Sequence, residues 1–150
     1  MIHLEDVTPD NWREKLTVNE EQTEFVSNTY SILARAYAYR KHGSCVKMIY
    51  NNETPVGLLL FYESEELNGY NFSQLLIDKR YQRKGYGLEA TKLILKWMKK
   101  DKKYDTVYLC YLEGNIAAKE MYSKLGFSLT GEQDEDEIVM SLNLTDYKDI

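Results

Sequence analysis

The feature that most constrains this 150-residue chain is a run of three strand-like segments ahead of its first strand–helix–strand unit. Val46–Tyr50 and Val56–Tyr62 flank Asn51-Asn52-Glu53-Thr54-Pro55, a hairpin-turn composition. After an acidic loop (Glu63, Glu65, Glu66), Tyr70–Ile77 is again rich in aromatic and branched residues. Leu88–Lys100 then reads as a helix with Leu88, Thr91, Leu95 and Met98 on one face, and Thr106–Tyr111 as a strand. Three strands in a row do not suit a regular doubly wound sheet. They predict a mixed α/β sheet, antiparallel in its first half. The Tyr70–Tyr111 unit is expected to be parallel with a right-handed crossover.

The flanks fill in around this centre. Ile2–Val7 alternates as a first strand, and Thr8-Pro9-Asp10 reads as a turn into a short helix near Asn11–Leu16. Asn19 is a candidate cap for a second helix from Glu20 to about Tyr39, with Val26, Tyr30, Leu33 and Tyr37 on one stripe and Gly43 as its end. Asn115–Leu125 reads as a helix with Ala118, Met121, Tyr122 and Leu125 inward, stopped by Gly126. Ser128–Thr130 and Ile138–Leu144 form a last hairpin across the acidic turn Glu132–Glu137. The expected order is β-α-α-β-β-β-α-β-α-β-β, in a single domain spanning 1–150.

Composition narrows the function classes. A net charge of −5 lacks the basic footprint of a general nucleic-acid binder and suits a cationic partner. Cys45 and Cys110 make no disulfide framework, which reads as a reducing, cytoplasmic setting. The isolated His3 and His42 supply neither metal-ligand spacing nor an obvious catalytic triad, so no metal is expected. The first residues, MIHLEDVTPD, lack the form of a signal peptide, and no apolar run approaches a membrane span.

Between Ile77 and the Leu88 helix lies Gln82-Arg83-Lys84-Gly85-Tyr86-Gly87. Glycines at a strand-to-helix turn can serve backbone geometry alone. Gly85-Tyr86-Gly87-Leu88-Glu89-Ala90 also fits a dinucleotide fingerprint, but Asp105, at about the right separation for the ribose acid, precedes its strand instead of following it. The third reading is an anion site. Bare amides at a helix N-terminus, with Arg83 and Lys84 beside them, suit a diphosphate without the triphosphate-binding GxxxxGK[ST] pattern.

This loop resembles the Q/R-x-x-G-x-G/A signature of the GNAT family of N-acetyltransferases. Leu75-Leu76-Ile77 just upstream resembles the strand that lines acetyl-CoA in that family. Asn115-Ile116-Ala117-Ala118-Lys119-Glu120-Met121-Tyr122 resembles its N-x-x-A-x-x-x-Y helix, and Lys124-Leu125-Gly126-Phe127 its usual ending. The first half is similar to bacterial spermine/spermidine N-acetyltransferases, through VNEEQTEFVSNTYSILARAYAY (Val18–Tyr39) and PVGLLLFY (Pro55–Tyr62).

The resemblance implies acetyl transfer from acetyl-CoA to a primary amine of a polyamine such as spermidine or spermine. Gln82, Arg83, Lys84, Gly85, Tyr86, Gly87 and Leu88 would hold the pyrophosphate, through main-chain amides and the helix dipole. Leu75, Leu76 and Ile77 would offer a strand edge to the pantetheine arm, with an N–H near Leu76 or Ile77 polarising the thioester carbonyl. Asn115 and Ala118 belong to the same donor site. Tyr122 is the candidate general acid, since a phenol carries its proton at neutral pH.

The acceptor side is less complete. Polyamine acetyltransferases place a carboxylate just before the LLI-like residues, whereas Asn71-Phe72-Ser73-Gln74 here has none. Ser73, through water, and Glu21 are the candidate substrate residues, with Glu20 and Glu24 beside Glu21 and Tyr30 and Tyr37 as possible walls of an amine channel. Other acceptors (an aminoglycoside, an amino acid, a protein N-terminus), a homodimer and a non-catalytic CoA-binding domain stay open.

Overall fold

The structure, a computed structural model, describes residues 1–19, 23 and 28–148. Seven strands form one mixed sheet: β1 (Ile2–Asp6), β2 (Cys45–Asn51), β3 (Thr54–Ser64), β4 (Gly69–Ile77), β5 (Thr106–Leu112), β6 (Ser128–Asp134) and β7 (Glu137–Asn143). Their spatial order is β1-β2-β3-β4-β5-β7-β6. β1 to β4 are antiparallel, as the three-strand run predicts. The crossover from β4 to β5 runs through α2 (Tyr86–Asp101), and the two strands are parallel. The other helices are α1 (Thr29–Ala38) and α3 (Ile116–Lys124).

The side-chain period of two sorts the strands onto two cores. Leu58 and Leu60 of β3 and Leu76 of β4 pack with Met48, Leu16 and the Ile32 and Ala36 stripe of α1. Leu59 and Phe61 of β3 and Phe72 of β4 pack on the other face, with Ala90, Ile94, Leu95 and Met98 of α2. Leu125 and Phe127, at the end of α3 and just beyond it, join this second core. β4 therefore lies between a face covered by α1 and a face covered by α2 and the end of α3.

Two expectations give way. Instead of a short helix, Asn11–Leu16 contains turn and irregular backbone. The Asn11 amide fixes that turn. Its Oδ1 accepts from the Thr8 N–H (2.7 Å), and its Nδ2 donates to the Asp6 carbonyl (2.9 Å). Such local side-chain bonds compete with helix formation. The cap of α1 is Asn28, whose Oδ1 accepts from the Ser31 N–H at 2.8 Å, rather than Asn19. Thr29, Ile32 and Ala36 face the core of α1, leaving Tyr30 and Tyr37 60% and 68% exposed. Tyr37 instead carries the Arg40 guanidinium over its ring at 4.1 Å. Val26, Glu20, Glu21 and Glu24 lie outside the described residues.

Candidate active site

The parallel ladder between β4 and β5 is very short. Tyr70 pairs with Val107 and Asn71 with Tyr108, and there the pairing ends. From Phe72 to Ile77, β4 keeps its partner β3 but has no ladder partner on the β5 side. With β4 held by β3 and β5 held by β7 along its length, the two strands part after Asn71, which leaves a gap in the ladder along one edge of β4.

The peptide groups on that edge can be assigned by their alternation. The Asp78 N–H donates to the Val56 carbonyl on β3 (2.8 Å), and a Cβ added at Gly57 would collide with the Leu76 carbonyl oxygen. Leu76 and Asp78 therefore turn their backbone toward β3. Leu75 and Ile77 turn theirs toward the gap. Of the two candidate N–H groups, that of Ile77 faces the gap and that of Leu76 faces β3.

The glycine loop closes one end of this gap. At the end of β4 the Asp78 carboxylate is buried and accepts from the Thr17 N–H (2.9 Å), the Arg80 N–H (2.9 Å) and Arg80 Nε (2.8 Å). Burial pushes its pKa up, but these hydrogen bonds outweigh it and hold the carboxyl below its usual value. Hydrogen bonds to a charged group each contribute about 1.5–3 kcal/mol, so this turn is firmly set. Gln82 then reaches back, its Nε2 donating to the Ile77 carbonyl at 2.8 Å. Its side chain ties the loop to the strand.

Arg83 adopts a left-handed conformation (φ 63°) and Gly85 another (φ 81°), and both Arg83 and Lys84 are exposed. Gly85 is the N-cap of α2, and no side chain caps this helix. The first intrahelical bond is Glu89 N–H to the Gly85 carbonyl (3.0 Å), so the first-turn amides, including those of Tyr86, Gly87 and Leu88, have no intrahelical acceptor. A Cβ at Gly85 would meet nothing within 4 Å, so the approach to these amides is open. At Gly87 it would lie 3.5 Å from both Ile77 and Leu75 and 3.6 Å from Met121 Sδ. That close approach joins the helix start, the β4 edge and α3 at one point. The Tyr86 hydroxyl accepts from Asn51 Nδ2 (3.0 Å), and Leu88 is half-buried against the core.

α3 borders the same gap. Asn115 caps it, Oδ1 accepting from the Ala118 N–H at 3.2 Å, which assigns both residues a structural contact. Tyr122 is half-buried, its ring edge-to-face with Phe72 of β4 (centroids 6.2 Å apart) and with Phe127 (5.7 Å). Burial pushes its hydroxyl well above the ordinary phenol range. Tyr122 is thus held protonated at neutral pH, beside the residue where the β4–β5 pairing stops.

Ser73 lies on the opposite face. It is the extra residue at a bulge where Leu60 pairs with Gln74 and Phe61 with Phe72. Its Oγ accepts from Arg35 Nη1 of α1 at 3.3 Å. Tyr62 of β3 lies beside Ser73, accepts from Asn71 Nδ2 (3.1 Å) and stacks on Tyr39 with ring centroids 4.3 Å apart. Sequence reasoning singled out Ser73 but missed Arg35, Tyr39 and Tyr62, because nothing local announces a contact between residues 38 positions apart. The structure thus brings Leu75, Ile77, Gly85, Gly87 and Tyr122 around one edge of β4, with Ser73 on its other face. Glu21 lies outside the described residues.

An unpaired inner strand edge beside an uncapped glycine-led helix is a site for an extended ligand ending in an anion. The chain belongs to the acetyltransferase (GNAT) family, whose sequence profile matches residues 5–127. It is 29% identical over 139 residues to the spermine/spermidine N(1)-acetyltransferase of Bacillus subtilis, a match covering 89% of this chain and 91% of that one. Its fold is similar to that of the spermidine N-acetyltransferase from Vibrio cholerae, solved in complex with CoA and spermine (TM-score 0.78, 16% identity, 97% of each chain). It is also similar in fold to the aminoglycoside acetyltransferase AAC(6')-Ib, solved with coenzyme A (TM-score 0.74, 15% identity, 95% of each chain). Among the described residues, no helix is long and apolar enough to cross a membrane.

Proposed function

We propose that this protein transfers the acetyl group of acetyl-CoA to a primary amine of a polyamine such as spermidine. The observation that carries the donor half is the unpaired edge of β4 running into the open, uncapped start of α2. Leu75 and Ile77 add the pantetheine arm as a further strand, and the Ile77 N–H polarises the thioester carbonyl. The amides from Arg83 to Leu88 take the pyrophosphate, with Arg83 and Lys84 beside it. Asn115 has its carbonyl oxygen committed to the Ala118 N–H, so its Nδ2 is the group left to meet the pantetheine.

The acceptor amine arrives from the α1 face at Ser73. Its nitrogen bonds to the carbonyl carbon as the carbon–sulfur bond breaks, and Tyr122 gives its proton to the leaving sulfur. The nitrogen loses two protons in all, counted from the ammonium. One replaces the proton Tyr122 gave, and the other goes to solvent.

The polyamine acceptor is supported by the Bacillus subtilis relative and by the net charge of −5, which suits a cation. The test is free-thiol release from acetyl-CoA across polyamines, aminoglycosides and amino acids, with the products identified by mass. Monoacetylated spermidine or spermine as the leading product is expected. Turnover confined to another amine would remove the polyamine assignment. CoA binding without turnover would leave a non-catalytic domain.

A further inference from the structure

Resting on the polyamine reading, the attacking nitrogen must become neutral at a place where, among the described residues, no carboxylate stands beside Ser73. Arg35 is half-buried, and among the described residues no carboxylate lies within ion-pair distance of it. Among the described residues, Ser73 on β4 bonds it and Tyr62 on β3 lies near its charge, with Tyr39 at the end of α1 and Asn71 on β4 against Tyr62. Burial pushes the Tyr62 hydroxyl upward, the neighbouring Tyr39 adds to this, and Arg35 opposes it without reversing it. The Tyr62 hydroxyl is therefore protonated near pH 7, and among the described residues nothing in the cluster offsets the charge of Arg35.

We propose that Arg35, held at the Ser73 bulge, is a positioning residue that keeps the reacting nitrogen of the acceptor unprotonated by like-charge repulsion. An amine that donates to the free lone pair of Ser73 Oγ sits one hydrogen bond beyond the guanidinium. A second positive charge there is disfavoured, so the ammonium surrenders its proton to solvent at lower pH than it does free. The distal ammonium groups of a polyamine avoid this end of the site. Reaction is thereby directed to a terminal nitrogen.

The experiment is a pH profile of single-turnover acetyl transfer at saturating spermidine, for the parent, Arg35→Lys, Arg35→Met and Arg35→Gln. Acetyl-CoA affinity serves as the check on folding. In the parent and Arg35→Lys the ascending limb should coincide. In Arg35→Met and Arg35→Gln it should move up by about one to two pH units, the rate above the limb being retained. A general loss of rate with the limb unmoved would make Arg35 structural and overturn the proposal. So would a parent preference for carboxylate-bearing amines over their methyl esters that vanishes in Arg35→Met, since the guanidinium would then be an anion receptor. Should spermidine fail altogether, the polyamine reading falls alone, and the same limb is read with ethanolamine and glycinamide. A parent inert toward all three amines would remove both readings.

Discussion

Tyr122→Phe is expected to lower turnover by about 10²–10⁴-fold, the range over which a positioned general acid contributes. The substitution removes one oxygen and keeps the ring, so the edge-to-face contacts with Phe72 and Phe127 survive. Affinity for acetyl-CoA and for spermidine should therefore change little, and the loss should fall on the chemical step. The sign of the pH effect follows from burial. Because the hydroxyl's pKa is raised above the phenol value, Tyr122 is protonated throughout the neutral range, and any decline from its ionisation belongs at strongly alkaline pH. Within the range assayed the parent should therefore show no decline from Tyr122 ionisation, and the variant should show a rate lowered at every pH. Steady-state kinetics with thiol detection from pH 6 to 10 makes the check. Parent-like turnover across this range would return Tyr122 to the role of a packing residue between Phe72 and Phe127.

Gly85→Val is expected to weaken acetyl-CoA binding tenfold or more. The left-handed backbone at Gly85 (φ 81°) costs a residue with a Cβ about 1–2 kcal/mol, and a β-branched side chain meets it worst. Beyond its chain neighbours that Cβ meets nothing within 4 Å, so the new methyl groups would intrude on the approach to the α2 amides and not on the core. Calorimetric titration with CoA, paired with thermal unfolding, separates the effects. A folded variant with parent affinity would mean that the pyrophosphate binds elsewhere.

Much of the fold was legible because each element carries its own periodic signal. The three-strand run, the Leu88–Lys100 helix and the last hairpin all recur with ends displaced by a few residues. The glycine-led, uncapped start of α2 was legible for a similar reason: glycines, basic residues and helix start are contiguous in sequence. What sequence reasoning missed depends on partners distant in the chain. Asn11 reads as helix until its amide is seen committed to Thr8 and Asp6. Tyr30 and Tyr37 form a plausible apolar stripe, but Ile32 and Ala36, which lie closer to the sheet, exclude them from the core. The early end of the β4–β5 ladder, the bulge at Ser73 and the reach of Arg35 from α1 are consequences of strand register, which no local pattern records.

The central claim is that donor and acceptor meet across β4, one from each face. Amide NMR of the labelled protein, titrated first with CoA and then with spermidine, tests it most directly. CoA should shift the amides of Ile77, Gly85, Tyr86 and Gly87 while leaving Arg35 in place, and spermidine should then shift Ser73 and Arg35. Coenzyme shifts clustered on α1, or spermidine shifts confined to the α2 loop, would contradict the account.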